Sequence, residues 1–192
     1  CIFIKTKIDM NYRFILFLTF LFIFNPSLSI FSQYGHFDSA YVVLNLNDSG
    51  SNTWYDLGAS TGNTDFNGAD LGIFDLGSDD LKLIGTQHNM SKCNSCDITG
   101  SIMYYRIYSY GSASGGYTSV NTSWNSNGND GCATQQWQNV SLTTNLLNTL
   151  SSGRYTIEIY SQATTNSCGG DFYDSNSSNN YKAHFRIATY SV

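Results

Sequence analysis

Glu158 is the only glutamate in the 192-residue chain. Glycoside hydrolysis uses two positioned carboxylates, one of them with a raised pKa. Glu158 would have to draw its partner from the aspartates, most of which fall in turn-like tracts where local turn chemistry explains them. His36, His88 and His184 follow no H-x-H, H-x-x-H or H-E-x-x-H spacing, and each is expected at the surface. No G-x-S-x-G elbow is present, so a nucleophilic serine has no marked position. No G-x-G-x-x-G or P-loop pattern marks a nucleotide site either. No catalytic residue is assigned, and the missing constellations argue against an enzyme.

Four cysteines, Cys93, Cys96, Cys132 and Cys168, lie in the body of the chain. They allow three disulfide pairings. The favoured one joins Cys93 to Cys96 within a single loop and Cys132 to Cys168 across a longer one. The chain-entropy relation gives the longer loop roughly 3–4 kcal/mol of stabilisation. A tetrahedral zinc site would want a second close-spaced pair, which Cys132 and Cys168 do not form. A redox C-x-x-C wants a helix N-terminus after a strand, whereas this one sits among Asn, Ser and Asp. Calcium is the one metal with a candidate, as a structural ion. Residues 125–131 (NSNGNDG) alternate oxygen ligands but depart from an EF-hand loop in composition and in lacking a closing Glu. Asp70, Asp75, Asp79 and Asp80 could converge through loop geometry. No cofactor is otherwise expected.

The elements that must position these residues begin after a leader. Residues 14–24 (FILFLTFLFIF) form an apolar run behind Arg13, and Pro26, Ser27 and Ser29 follow. A basic start, a short apolar stretch and small residues describe a secretory signal peptide. Eleven residues rise about 16 Å as a helix, short of the roughly 30 Å hydrocarbon core. The chain therefore divides into 1–9, an upstream over-extension; 10–32, the signal peptide; and 33–192, a single domain. The formal charge is −5 for the whole chain and −7 for 33–192, which holds six basic and 13 acidic residues. Such a body is not a nucleic-acid binder, and it has no second apolar stretch long enough to span a membrane. Export makes disulfides the default.

Period-2 alternation marks strands at 41–46, 81–84, 102–110, 155–160 and 181–188, with weaker ones at 53–57, 72–75, 116–124 and 135–142. The last alternating strand, 181–188, is expected to close a sheet. Tracts rich in Asn, Asp, Ser and Gly separate the strands. Leu146, Leu147 and Leu150 suggest one short helix over 144–150. These elements predict an all-β fold, an antiparallel β-sandwich of jelly-roll or Ig-like type, with about 8–9 strands and at most one short helix. Within their strands Arg106 and Glu158 are the only charges. If those strands pair, the two form a cross-strand ion pair. Tyr104, Tyr108 and Tyr160 surround that pair as a candidate ligand platform, and Trp54, Tyr55 and Trp124 are further aromatic candidates. Trp137 is assigned to the core.

Five phrases carry a resemblance: VVLNLNDSGSNTWYDLGASTGNTDFNGADLGIF (42–74), CDITGSIMYYRIY (96–108), QQWQNVSL (135–142), NLLNTLSSGRYTIEIYSQATT (145–165) and NNYKAHFRI (179–187). In order and spacing they resemble a β-rich module that recurs in secreted cell-surface proteins of flavobacteria and related Bacteroidota. The resemblance implies an extracellular β-sandwich with no established activity, often found beside a type IX secretion sorting domain, and it supplies no catalytic residues. The leading expectation is a non-catalytic, secreted binding or adhesion module at the cell surface, with carbohydrate as the ligand class and a polysaccharide or a surface protein as partner. The alternatives are a structural spacer or matrix component and, behind it, a secreted hydrolase.

Overall fold

Tyr155, Ile157 and Ile159 point one way along their strand, and Arg154, Thr156, Glu158 and Tyr160 point the other. That alternation, repeated on neighbouring strands, builds two stacked sheets. The computed structural model describes residues 35–92, 97–127, 134–166 and 170–188, all within the unit Gln33–Val192. In chain order the strands are β1 (Gly35–Leu46), β2 (Thr53–Asp56), β3 (Thr64–Asp65), β4 (Asp70–Asp75), β5 (Leu81–Lys92), β6 (Ile98–Ser109), β7 (Thr118–Asn121), β8 (Ser123–Asn127), β9 (Thr134–Asn139), β10 (Thr144–Asn145), β11 (Gly153–Thr165), β12 (Phe172–Asp174) and β13 (Tyr181–Ala188). Sheet A runs β3-β2-β1-β5-β9-β8, with β10 also on β5. Sheet B runs β4-β13-β11-β6-β7, with β12 also on β11. The fold is an all-β sandwich.

Four expectations are corrected. The described strands number thirteen rather than 8–9. Several of the extra ones are two- or three-residue bridges that no periodicity marks, and the expected strand 116–124 is split in two. The split falls at Thr122, whose backbone N–H and hydroxyl both donate to the Ser101 carbonyl, at 3.1 and 2.7 Å. That anchorage sends the chain from sheet B into sheet A. The sheets are mixed rather than purely antiparallel, because β2–β3 and β4–β13 are parallel pairs. There is no helix at 144–150. β10 captures that segment, the Leu146 N–H bonds the Leu81 carbonyl, and the Asn145 side chain accepts from the Leu147 N–H at 3.0 Å. An Asx turn of this kind competes directly with a helical start. Finally, β13 is internal to sheet B, between β11 and β4, rather than at an edge.

The core forms where the inward faces meet. Val42, Leu44, Leu81 and Leu83 of sheet A oppose Met103, Ile157, Ile159, Phe185 and Ile187 of sheet B, all fully or almost fully buried. Each such aliphatic or aromatic side chain contributes about 1.5–3 kcal/mol by leaving water. A smaller cluster of Met90, Ile98, Ala163 and Phe172 also lies between the sheets.

A polar bridge also joins the sheets. His88 on β5 is fully buried, contrary to its expected surface position. Its Nδ1 lies 2.5 Å from Ser101 Oγ on β6, and its Nε2 lies 3.0 Å from both Ser161 Oγ on β11 and Thr86 Oγ1. Thr86 donates its hydroxyl proton to the Tyr41 carbonyl at 2.7 Å. Its lone pairs therefore face Nε2, which assigns the imidazole proton to Nε2 and makes Ser101 the donor to Nδ1. Burial holds the His88 pKa down to about 3, so the ring is neutral.

Gly85 is the irregular position within β5. It has φ +146°, and a Cβ there would lie 1.7 Å from the Asn139 carbonyl oxygen. A register shift in the β1–β5 ladder falls beside it, between Val43 and Leu44.

Candidate functional site

The outer face of sheet B gathers the polar side chains of β6, β11 and β13 into rows. Glu158 stands opposite Arg106 on β6 and opposite Lys182 on β13. One row away Thr156 lies between Tyr108 and His184, and on the other side Tyr160 pairs with Tyr104. The expected cross-strand ion pair is formed: Arg106 Nη2 donates to both Glu158 oxygens at 3.0 Å.

The pair is not surface decoration. Glu158 is only 3% exposed although it faces away from the core. Tyr117, just before β7, donates its hydroxyl to Oε1 at 2.5 Å. Asn180, which precedes β13 and has φ +54°, donates to the same oxygen at 2.7 Å. Tyr108 donates to Oε2 at 2.7 Å. Burial alone would raise the Glu158 pKa. The hydrogen bonds from Tyr117, Asn180, Tyr108 and Arg106 outweigh it and bring the value to about 2. Tyr108 and Tyr117 are pushed up to about 12, first by burial and then by the carboxylate they serve. The Arg106 guanidinium lies over the Tyr117 ring at 4.6 Å. A carboxylate that accepts five hydrogen bonds and titrates this low is neither a proton donor nor a free nucleophile. It is the anchor that fixes two loops onto the sheet.

Tyrosines occupy the rest of the face. The Tyr104 and Tyr160 rings stack with centroids 4.8 Å apart and a 13° interplanar angle, and Tyr117 meets Tyr160 edge-on at 5.0 Å. Tyr104 donates to Gln162 Oε1 at 3.1 Å. Burial, with smaller contributions from Tyr104 and Tyr173, raises the Tyr160 pKa. Tyr173 on β12 is 54% exposed, and Tyr110 just past β6 is 50% exposed. Tyr110 carries the Arg154 guanidinium 3.8 Å above its ring and meets His184 edge-on at 5.1 Å.

Of the sequence candidates, Tyr104, Tyr108 and Tyr160 come together on this face. Trp54, Tyr55 and Trp124 do not, because they lie in sheet A. Tyr55 is 8% exposed and packs edge-on against Phe66 in the core. Trp54 is half-buried against Tyr41. Trp124 is 55% exposed on β8, opposite the half-buried Trp137. Sequence reasoning passed over Tyr110, Tyr117, Tyr173 and Asn180. Only Tyr110 had a signal, since it continues the alternation of 104, 106 and 108. The others arrive through loops and a short bridge.

Cys93, Cys96, Cys132 and Cys168 lie outside the described residues, as do residues 128–131 of the candidate calcium loop. Of the four aspartates considered for calcium, Asp75 and Asp79 close one turn, Asp80 pairs with Lys82, and Asp70 caps the Gly72 N–H. Among the described residues no three His, Cys, Asp or Glu side chains are grouped to hold a metal ion. A buried carboxylate elsewhere, Asp56, ties down its own loop through Gly58, Ser60 and Thr61. No helix among the described residues is long and apolar enough to cross a membrane. No family model matches the chain, and no curated protein or solved structure is similar to it at a significant level.

Proposed function

We propose that this chain is a secreted, non-catalytic binding or adhesion module that takes polysaccharide on the outer face of sheet B. One observation carries the reading: Tyr104, Tyr110, Tyr117, Tyr160 and Tyr173 share that face around Tyr108, which is itself only 8% exposed and offers no ring face, and the buried Glu158 locks Tyr108 and Tyr117 in place. Aromatic rings present flat apolar faces that match the apolar faces of sugar rings, and a rigid set loses little entropy on binding. The leader at 10–32 exports the chain to the cell surface or medium, where Cys93–Cys96 and Cys132–Cys168 disulfides would form. A surface protein is the other partner class. The alternative, a structural spacer or matrix component, draws support from the stacking of Tyr104 on Tyr160, since rings packed on each other offer less to a ligand.

Affinity electrophoresis of residues 33–192 through gels holding neutral and acidic polysaccharides tests the proposal. Retardation that Tyr173→Ala and Tyr110→Ala weaken, and that Trp124→Ala leaves unchanged, supports it. Mobility unaffected by every polymer would leave the spacer reading standing.

A further inference from the structure

The body of this chain is acidic, yet its few cations are unevenly placed. The described residues contain six basic side chains other than histidine: Lys82, Lys92, Arg106, Arg154, Lys182 and Arg186. Three are committed to carboxylates: Lys82 to Asp48 and Asp80, Lys92 to Asp97, and Arg106 to Glu158. The other three, Arg154, Lys182 and Arg186, have no carboxylate within ion-pairing distance among the described residues. All three stand on the outer face of sheet B.

Arg154 and Arg186 are directly opposite one another in the β11–β13 ladder, and both are exposed. Like charges in that register repel, so the pairing is unfavourable for the fold alone. The Tyr110 ring beneath Arg154 holds its guanidinium in position. Two adjoining recesses share these arginines as their common wall. One, of about 490 Å³, is lined by Ser152, Gly153, Arg154, Arg186, Ile187 and Ala188, and contains no carboxylate. The other, of about 270 Å³, adds His184 and Asp70 to the same pair. The larger volume lies within the range of ligand clefts. It sets two exposed, fork-shaped cations over backbone and small side chains, and such a pair matches the oxygens of an oxyanion.

Resting on the polysaccharide reading above, we infer that the recess at Arg154 and Arg186 selects glycans bearing an anionic group, a uronate carboxylate or a sulfate ester. The two guanidinium groups clamp the oxyanion and the tyrosines beyond them receive the neighbouring sugar units. Binding relieves the repulsion between the arginines, so the ligand and the fold favour the same arrangement.

The test measures dissociation constants of residues 33–192 for polygalacturonate, dextran sulfate and neutral dextran in 0.15 M NaCl, where distant charges are screened. The variants are Arg154→Gln, Arg186→Gln and, as a charge-matched control on the other sheet, Lys82→Gln. The expected result is tighter binding of one acidic polymer than of dextran, weakened about tenfold by either arginine variant and unchanged in Lys82→Gln. The carboxylate and sulfate arms identify which oxyanion is taken. Thermal melts should show both arginine variants folded, at an unchanged or higher Tm. Equal binding of acidic and neutral polymers, or equal weakening in all three variants, would overturn the inference and leave polysaccharide binding intact. Binding to none of the polymers would overturn both.

Discussion

The Tyr117 hydroxyl donates a 2.5 Å hydrogen bond to Glu158, reaching across 41 residues of sequence to cover a carboxylate on the outside of a sheet. The bond converts what would be an exposed strand charge into a buried one. Arg106, with its side chain 19% exposed, depends on the same carboxylate, and its Nε is buried with no partner.

Glu158→Gln should therefore destabilise the fold by about 3 kcal/mol, because removing one member of a buried pair strands the other. Tyr117→Phe removes one hydrogen bond to a charged group and should cost about 1.5–3 kcal/mol. Urea unfolding of the two variants beside the wild type measures both. Equal stability of Glu158→Gln and wild type would mean that the pair is solvated.

Acidification should weaken the fold through two groups, of which His88 acts alone above pH 4.5. Neutral His88 is held at about 3, whereas an unfolded histidine protonates near 6.5. Below 6.5 the unfolded chain binds a proton that the folded chain refuses. Stability is thus full above 6.5 and falls as the pH drops towards 3, by up to about 1.4 kcal/mol per pH unit. Glu158 acts lower: its folded value of about 2 lies beneath the ordinary 4.5, so its contribution is present above 4.5 and is lost as the pH falls towards 2. Urea midpoints at pH 7.5 and 5.5 should differ for the wild type and for Glu158→Gln, and should differ much less for His88→Gln.

Gly85→Ala should be among the most damaging single-methyl additions in the chain. The φ of +146° is closed to other residues, and the new Cβ would collide with backbone at Asn139. A loss of about 4 kcal/mol or an insoluble product is expected. Gly62→Ala, where a Cβ meets nothing within 4 Å, serves as the control. Thermal melts of the soluble fraction compare the two.

Tryptophan emission should report three positions of sheet A unequally. Trp124 is 55% exposed, whereas Trp54 and Trp137 are half-buried. Trp124→Phe should remove the largest share of acrylamide-quenchable fluorescence. Unchanged quenching would place Trp124 under cover.

Where apolar and polar residues alternate cleanly, the sequence declared both strand and face. Tyr155, Ile157 and Ile159 line the core, as do Ala183, Phe185 and Ile187 on a strand with the expected bounds. The Arg106–Glu158 pairing followed from the same alternation. The second half of β5 was hidden because its inward positions carry Thr86 and His88, which read as surface residues until Ser101 and Ser161 are brought opposite them. His88 is in phase with Met90, and treating that phase as stronger than polarity would have buried it. The burial of Glu158 was not legible, because the residues that cover it, Tyr117 and Asn180, come from loops whose paths no local pattern dictates.

The placement of β13 between β4 and β11 has a consequence for how the chain comes together in time. β4 is made early, and its one pairing partner among the described strands is roughly a hundred residues downstream. As the polypeptide emerges from the ribosome, β4 must wait unpaired until β13 follows. Sheet B cannot zip up by successive hairpins, and its completion is a late, long-range event. Sheet A, whose β1, β2, β5 and β9 are all made by residue 139, can pair well before that event.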